Sequence, residues 1–122
     1  MNFSKFLRSF VIGSVGLAHA FAAEQNMRIH GLVALAVIVA GFVLKVAAWE
    51  WIALVLSIGM VISAECLNTA LERLADHVSR ESHPLIKQAK DCGSAAVLVL
   101  AITAAAVGAI VFVPKIWAAA GW

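Results

Sequence analysis

The chain alternates long apolar runs with short polar breaks, and the spacing within each run predicts its element. From Phe3 to Ala23, the residues Phe3, Phe6, Leu7, Phe10, Val11, Leu17 and Phe21 recur at intervals close to three and four, with Lys5 and Arg8 near the start. That periodicity predicts an amphipathic helix over 3–23 lying in a membrane interface. Gly31 to Ala48 is apolar except for Lys45 near its end, and at about 1.5 Å per residue it nearly crosses a hydrocarbon core of ~30 Å. Lys45 can reach outward along its own methylenes. A second uncharged run begins at Trp51, reaches Ala64 and passes into Glu65-Cys66-Leu67-Asn68-Thr69-Ala70-Leu71-Glu72; a third runs from Ser94 to Val113 and is closed by Pro114 and Lys115. An all-α membrane protein follows, with the interfacial helix and three spans at about 31–48, 51–71 and 94–113.

Arg73 to Asp91 is the only long polar stretch, carrying Arg73, Arg80, Lys87 and Lys90 against Asp76, Glu81 and Asp91. It is expected as a loop, 73–91, broken at His83-Pro84 because a residue before proline avoids the helical region. Seven basic residues (Lys5, Arg8, Arg28, Arg73, Arg80, Lys87, Lys90) fall on one side of these spans and two (Lys45, Lys115) on the other. The excess of basic residues in cytoplasmic segments puts the N-terminus and the 73–91 loop in the cytoplasm and the C-terminus outside. Trp49, Trp51, Trp117 and Trp122 then form an outer aromatic belt.

Composition narrows the function classes. With 122 residues, 63% of them hydrophobic and 13% charged, and a mean hydropathy of +0.97, the chain is a single membrane domain over 1–122 without room for a separate catalytic module. A net charge of +2 gives no field for holding nucleic acid. Cys66 and Cys92 lie far apart with no CxxC pair and are expected as free thiols. The N-terminal run is interrupted by Gly13, Ser14, Gly16 and His19, which argues against a cleaved secretory signal, although Ala18-His19-Ala20 has the form of a cleavage triplet.

The candidate chemistry lies at the end of the second span. Glu65, Asn68, Glu72 and Asp76 fall at i, i+3, i+7 and i+11 and share one helical stripe. A carboxylate at a membrane helix end is costly and points to function; the bland alternative is a solvated cytoplasmic extension of the helix. Mg²⁺ binds through one or two carboxylates together with substrate phosphates. Glu72 can supply one ligand, and Glu24, at the junction of the interfacial helix and the first span, a second; alternatively Glu24 is an exposed charge beside Arg28. Lys90 and Asp91 put an ammonium and a carboxylate at the same level, where Lys90 either neutralises phosphate charge or simply anchors the helix end. Neither GxxxxGK[ST] nor GxGxxG occurs in the chain, so a nucleotide would be held by side chains and connecting segments.

Taken together, Glu24-x-Asn26-Met27-Arg28-x-His30, Glu65-Cys66-Leu67-Asn68-Thr69-Ala70-Leu71-Glu72 and His83-Pro84-Leu85-x-Lys87-x-Ala89-Lys90-Asp91 resemble the prokaryotic diacylglycerol kinase and undecaprenol kinase family over nearly the whole chain. The resemblance implies a homotrimer with active sites at subunit boundaries, ATP and Mg²⁺ entering from the cytoplasm, and a membrane lipid alcohol as acceptor, its phosphate serving lipid recycling. It implies Glu65 as general base and Glu24 and Glu72 as metal ligands. Glu24, Asn68, Glu72, Asp76, Lys90 and Asp91 are then the nucleotide-contacting and supporting set, with Glu81, Ser82 and His83 near the adenine or ribose. Lys5, Arg8, Arg28, Glu65 and Ser94 are the implied lipid contacts. Ile12 stands where the diacylglycerol branch tends to carry a tyrosine near the nucleotide. The Arg8-Ser9-Phe10 start, the run 26–30, Glu50-Trp51 and His83-Pro84-Leu85 look more like the undecaprenol branch, and Cys92-Gly93-Ser94-Ala95-Ala96 like the diacylglycerol branch; the balance leans to undecaprenol. Two other classes compete: a small channel or transporter subunit with Glu65 as an ion or proton relay, and a non-catalytic subunit whose Ala-rich last span serves packing alone. A transporter would place its site near the bilayer midplane, which fits a stripe at the helix ends less well.

Overall fold

The computed structural model describes residues 1–122 as four helices and short connections: α1 (Phe3–Ala23), α2 (Gln25–Val43), α3 (Ala48–Val78) and α4 (Pro84–Ala119). All four are long and apolar enough to cross a membrane, α1 included. Only 11 of the 122 residues are buried, so most apolar side chains need lipid or further helices around them.

α1 starts where the Asn2 side chain accepts the Lys5 backbone N–H at 3.3 Å. It stops at Glu24, whose extended backbone (φ −110°, ψ 124°) also opens α2. The turn is held by Arg28, whose Nη1 donates to the carbonyl oxygens of Phe21 (3.3 Å) and Ala22 (2.9 Å), partners that the last turn of α1 otherwise lacks. Gly31 lets α2 lie against α1, since a Cβ there would sit 2.6 Å from the Phe21 ring.

Three element boundaries differ from the sequence expectation. The first span, expected over 31–48, is a helix that begins at Gln25 and ends at Val43. Lys45 takes a left-handed φ of 52°, which a continuing helix does not accept, and the Ala47 N–H then finds the Glu50 carboxylate at 2.8 Å. The polar stretch expected as a loop over 73–91 is a connection only over 79–83. α3 carries on to Val78 and α4 starts at Pro84, with proline at the first helical position and the His83 Nδ1 accepting the Leu85 N–H at 3.1 Å. Pro114 does not close the last span, because α4 runs through it to Ala119. One missing backbone bond is tolerable in an apolar helix, and Lys115 next to it is fixed to Glu50 of α3 at 2.9 Å.

α3 (31 residues) and α4 (36 residues) are ~46 and ~54 Å long, well beyond a ~30 Å core, and pack antiparallel. Their pairing gives the molecule two poles. At one, Val46, Leu54 and Val111 form a small core with Val37, Trp51, Val107 and Phe112 around it. The Trp51 ring lies on Phe42 and Trp117 on Trp122, with centroids 4.8 and 5.1 Å apart. At the other stand the ion pairs Arg73–Glu24 and Lys90–Asp76.

The Lys115–Glu50 pair ties α4 to the start of α3, and the Glu50 side chain is only 7% exposed. Lys115→Met is expected to lower the melting temperature in detergent because it leaves a buried carboxylate unpaired, whereas Lys115→Met with Glu50→Gln should recover most of the loss. Circular-dichroism melting of the two variants beside the parent checks this; identical melting of all three would show the pair to be immaterial.

Candidate active site at the charged pole

α3 carries the stripe into a place where three helices meet. Glu65 is 3% exposed and Thr69, one turn on, is 4% exposed; the Thr69 hydroxyl donates to the Glu65 backbone carbonyl at 2.9 Å. Ala20 of α1 and Met27 of α2 are buried at the same end of the molecule. From α2, His30 Nε2 comes within 3.1 Å of Glu65 Oε1, a buried oxygen that is otherwise unpartnered. Asn68 Oδ1 is buried and unpartnered as well. Such atoms are rare, because each forfeits its hydration without replacement.

The negative charge is concentrated here. Glu24 and Glu72 both act electrostatically on the Glu65 carboxylate, as does His30 from the opposite sign when protonated. Glu24 reaches this position because it is the single extended residue between α1 and α2, and Arg73 Nη2 faces its Oε1 at 3.6 Å. Glu72 is half-buried one further turn along α3. No group of three or more His, Cys, Asp or Glu side chains is arranged to hold a metal ion unaided.

α4 closes the other flank through Gly93. A Cβ at that position would run into Asn68 Oδ1 and lie 2.9 Å from Leu71 Cδ2, so glycine is what lets α4 press on the stripe. Gly93→Val is therefore expected to push the Asn68 and Leu71 side chains aside and cost roughly 1–3 kcal/mol of stability by overpacking, with activity falling more than stability. Parallel melting and phosphoryl-transfer assays test it; full activity in a folded Gly93→Val protein would show the close approach to be dispensable. Beyond Gly93, Lys90 pairs with Asp76 across the helices and Lys87 with Asp91 along α4 at 2.6 Å. The Lys90 ammonium holds the Asp76 carboxyl below the ordinary range, and hydrogen bonding to Asp91 raises the Lys87 ammonium. A shallow polar depression lined by Arg73, Asp76, His77 and Arg80 opens beside this pair.

The sequence-derived candidates thus divide. Glu24, Glu65 and Glu72 converge, Asn68 turns its amide oxygen toward Gly93 of α4, and Asp76 and Lys90 are joined to each other at the rim. Asp91 is committed to Lys87. Glu81, Ser82 and His83 lie on the exposed connector, where the hydrogen bonds of Glu81 and His83 are local. Ser94 is exposed on α4 beside Gly93, and Arg28 is occupied by α1 carbonyls. Lys5 and Arg8 stand near the start of α1, ~24–29 Å along its axis from Glu24, and do not join the cluster. His30 and Arg73 were not singled out as site residues from sequence. The signal for His30 was present, since it is an ionisable side chain at the threshold of an apolar span; nothing in sequence pairs Arg73 with Glu24.

A bundle of helices long and apolar enough to span a membrane, with the buried Glu65 carboxylate acted on by Glu24 and Glu72 at one pole, fits a small integral membrane enzyme, and comparison with known proteins identifies the class. The model of the family "Prokaryotic diacylglycerol kinase" matches residues 12–112. The undecaprenol kinase of Bacillus subtilis is 36% identical over 113 residues, covering 93% of this chain and 92% of that protein. The diacylglycerol kinase of Escherichia coli K12 is 34% identical over 103 residues, 84% of each chain. That of Synechocystis is 40% identical over 111 residues, which are 90% of this chain and 63% of the longer relative. The chain belongs to the prokaryotic diacylglycerol kinase family and is a multi-pass membrane lipid kinase.

Proposed function

We propose that the chain transfers the γ-phosphoryl group of ATP to the hydroxyl of a membrane lipid alcohol at the cytoplasmic surface, with undecaprenol as the acceptor and diacylglycerol as the alternative. The observation that carries this reading is the buried, otherwise unpartnered Glu65 oxygen, set beside Glu24 and Glu72. An acceptor hydroxyl donating to Glu65 Oε1 would complete that oxygen's hydrogen bonding and leave its own oxygen free to attack. As the O–P bond forms in line and the bond to the β-phosphate oxygen breaks, Glu65 takes the hydroxyl proton and ADP departs. Asn68, whose buried amide oxygen faces Gly93 of α4, supports the stripe from the α4 side. In this reading Lys90, held by Asp76, faces the phosphates, and Asp91, Glu81, Ser82 and His83 border the rest of the nucleotide.

Glu24 and Glu72 fit Mg²⁺, a cation that takes one or two carboxylates from protein and fills its other positions with phosphate oxygens and water. When held by these carboxylates, the ion would supply positive charge to offset the charge developing on the phosphates. Its arrival requires Glu24 to loosen its 3.6 Å contact with Arg73. Lys5, Arg8, Arg28 and Ser94 are the reading's weaker lipid contacts, since none reaches the cluster.

In this reading α2, α3 and α4 cross the membrane and α1 lies in the cytoplasmic interface, supported by Phe3, Phe6 and Phe10 stacking along one side of α1 and by its Lys5 and Arg8. The subunits form a homotrimer. An apolar groove between α3 and α4, lined with Gly59, Ala64, Gly93 and Ala96 among others, offers the small-residue surface that helices use to associate in lipid. A C-terminal fusion to a reporter active only outside the cytoplasm should be functional; activity from a cytoplasm-only reporter instead would overturn the three-span topology.

The function itself is tested with purified protein, γ-labelled ATP, Mg²⁺ and undecaprenol, diacylglycerol or ceramide in the same detergent. Label in lipid phosphate, greatest with undecaprenol, is the expected result. No transfer to any of the three would sink the reading, and preference for diacylglycerol would replace the acceptor.

A further inference from the structure

We infer that His30 is a positioning residue that orients Glu65 and carries away the proton Glu65 accepts. The inference rests on Glu65 being the base. Glu65 is sealed at 3% exposure, but the His30 side chain, 3.1 Å from Oε1, is 23% exposed. His30 is thus a polar group that touches the buried oxygen and reaches the surface of the subunit. Thr69 offers no substitute, because its hydroxyl is used on the Glu65 backbone carbonyl. Oε1 has no other partner, and a proton placed between it and Nε2 would satisfy both atoms.

The ring is held there by structure. Met27, three residues earlier, is fully buried, Gly31 docks α2 on Phe21, and His30 heads an apolar cavity of about 300 Å³ bordered by Val33, Leu54 and Val61. Low polarity there strengthens the coupling of imidazole to carboxylate. The other charged or titratable groups facing the pair are Glu24 and Glu72, with Arg73 on Glu24 and Cys66 beside Glu65; on α4, Lys90 is paired with Asp76 and Lys87 with Asp91. The balance is simple: the proton leaving the lipid hydroxyl binds Glu65 as the phosphoryl group moves to the lipid oxygen. It then passes from Oε1 to neutral Nε2, restoring the carboxylate, and the imidazolium releases it to water.

The test is the rate of lipid phosphorylation by full-length His30→Gln, His30→Asn and Glu65→Gln from about pH 5.5 to about 9, with apparent ATP affinity and detergent melting measured on each. His30→Gln should lose about tenfold in kcat at alkaline pH, keep its ATP affinity, and lack the acid-side fall in rate expected of the parent, so that the two rates converge at low pH. His30→Asn decides the matter in the same way should the Gln variant fail to fold. A parental rate in the folded His30 variant, or a uniform loss that leaves the acid limb in place, overturns the relay. Full activity in Glu65→Gln overturns the base reading itself, whereas an inactive Glu65→Gln beside an unaffected His30→Gln removes the relay alone.

Discussion

Glu65→Gln is expected to reduce turnover by roughly 10²- to 10⁴-fold, the range that a positioned general base contributes, with apparent ATP affinity little changed. The substitution keeps the side chain's length and its hydrogen-bonding capacity but cannot accept a proton, so the loss falls on the chemical step and not on binding. Stability should move the other way. A carboxylate that is 3% exposed, with one oxygen unpaired and two further carboxylates acting on it, is costly to the fold, and an amide removes that cost. A variant that is slower, at least as stable and still able to bind ATP is the signature of a group kept for chemistry. Retained turnover in a well-folded sample would end the assignment.

Much of this arrangement was legible in the sequence, for reasons that differ from residue to residue. The helix over 3–23 is found at those bounds because its apolar periodicity and its polar start are both local signals. The stripe Glu65, Asn68, Glu72 and Asp76 was readable because helical spacing alone sets its face, and α3 is continuous through all four. The helix ends were harder. Lys45 stops α2 with a left-handed backbone that its residue type does not announce, and the charged segments 73–78 and 84–91 read as loop by composition although they continue α3 and open α4. Pro114 is the reverse error, a helix breaker by type that the surrounding apolar helix absorbs. Contacts between helices were the least accessible. The approach of His30 to Glu65, of Arg73 to Glu24 and of Gly93 to Asn68 depends on how α2 and α4 pack on α3, which no spacing rule reports.

The separation of the proposed base from the proposed metal ligands gives the second large effect. Glu24→Gln and Glu72→Gln should each lower turnover at ordinary Mg²⁺ by more than the ~10- to 100-fold that losing an outer-shell metal partner costs, and each should raise the Mg²⁺ concentration needed for half-maximal rate. The two residues come from different elements, the α1–α2 junction and the C-terminal part of α3, so a shared response to Mg²⁺ is not explained by damage to one helix. Glu24→Gln carries an additional consequence, since it also frees Arg73 from its 3.6 Å partner; Arg73→Gln separates the two causes by removing the ion pair while leaving the Glu24 carboxylate. If Glu24 acts through metal, Arg73→Gln keeps the parental Mg²⁺ dependence or shifts it toward lower concentration, because the competing cation is gone. Should Glu24→Gln and Arg73→Gln instead show the same loss with unchanged Mg²⁺ dependence, Glu24 serves the junction of α1 and α2 and not the ion. Excess Mg²⁺ should recover part of the Glu24→Gln and Glu72→Gln rates but none of the Glu65→Gln rate, since a missing proton acceptor is not replaced by tighter occupancy of the metal position.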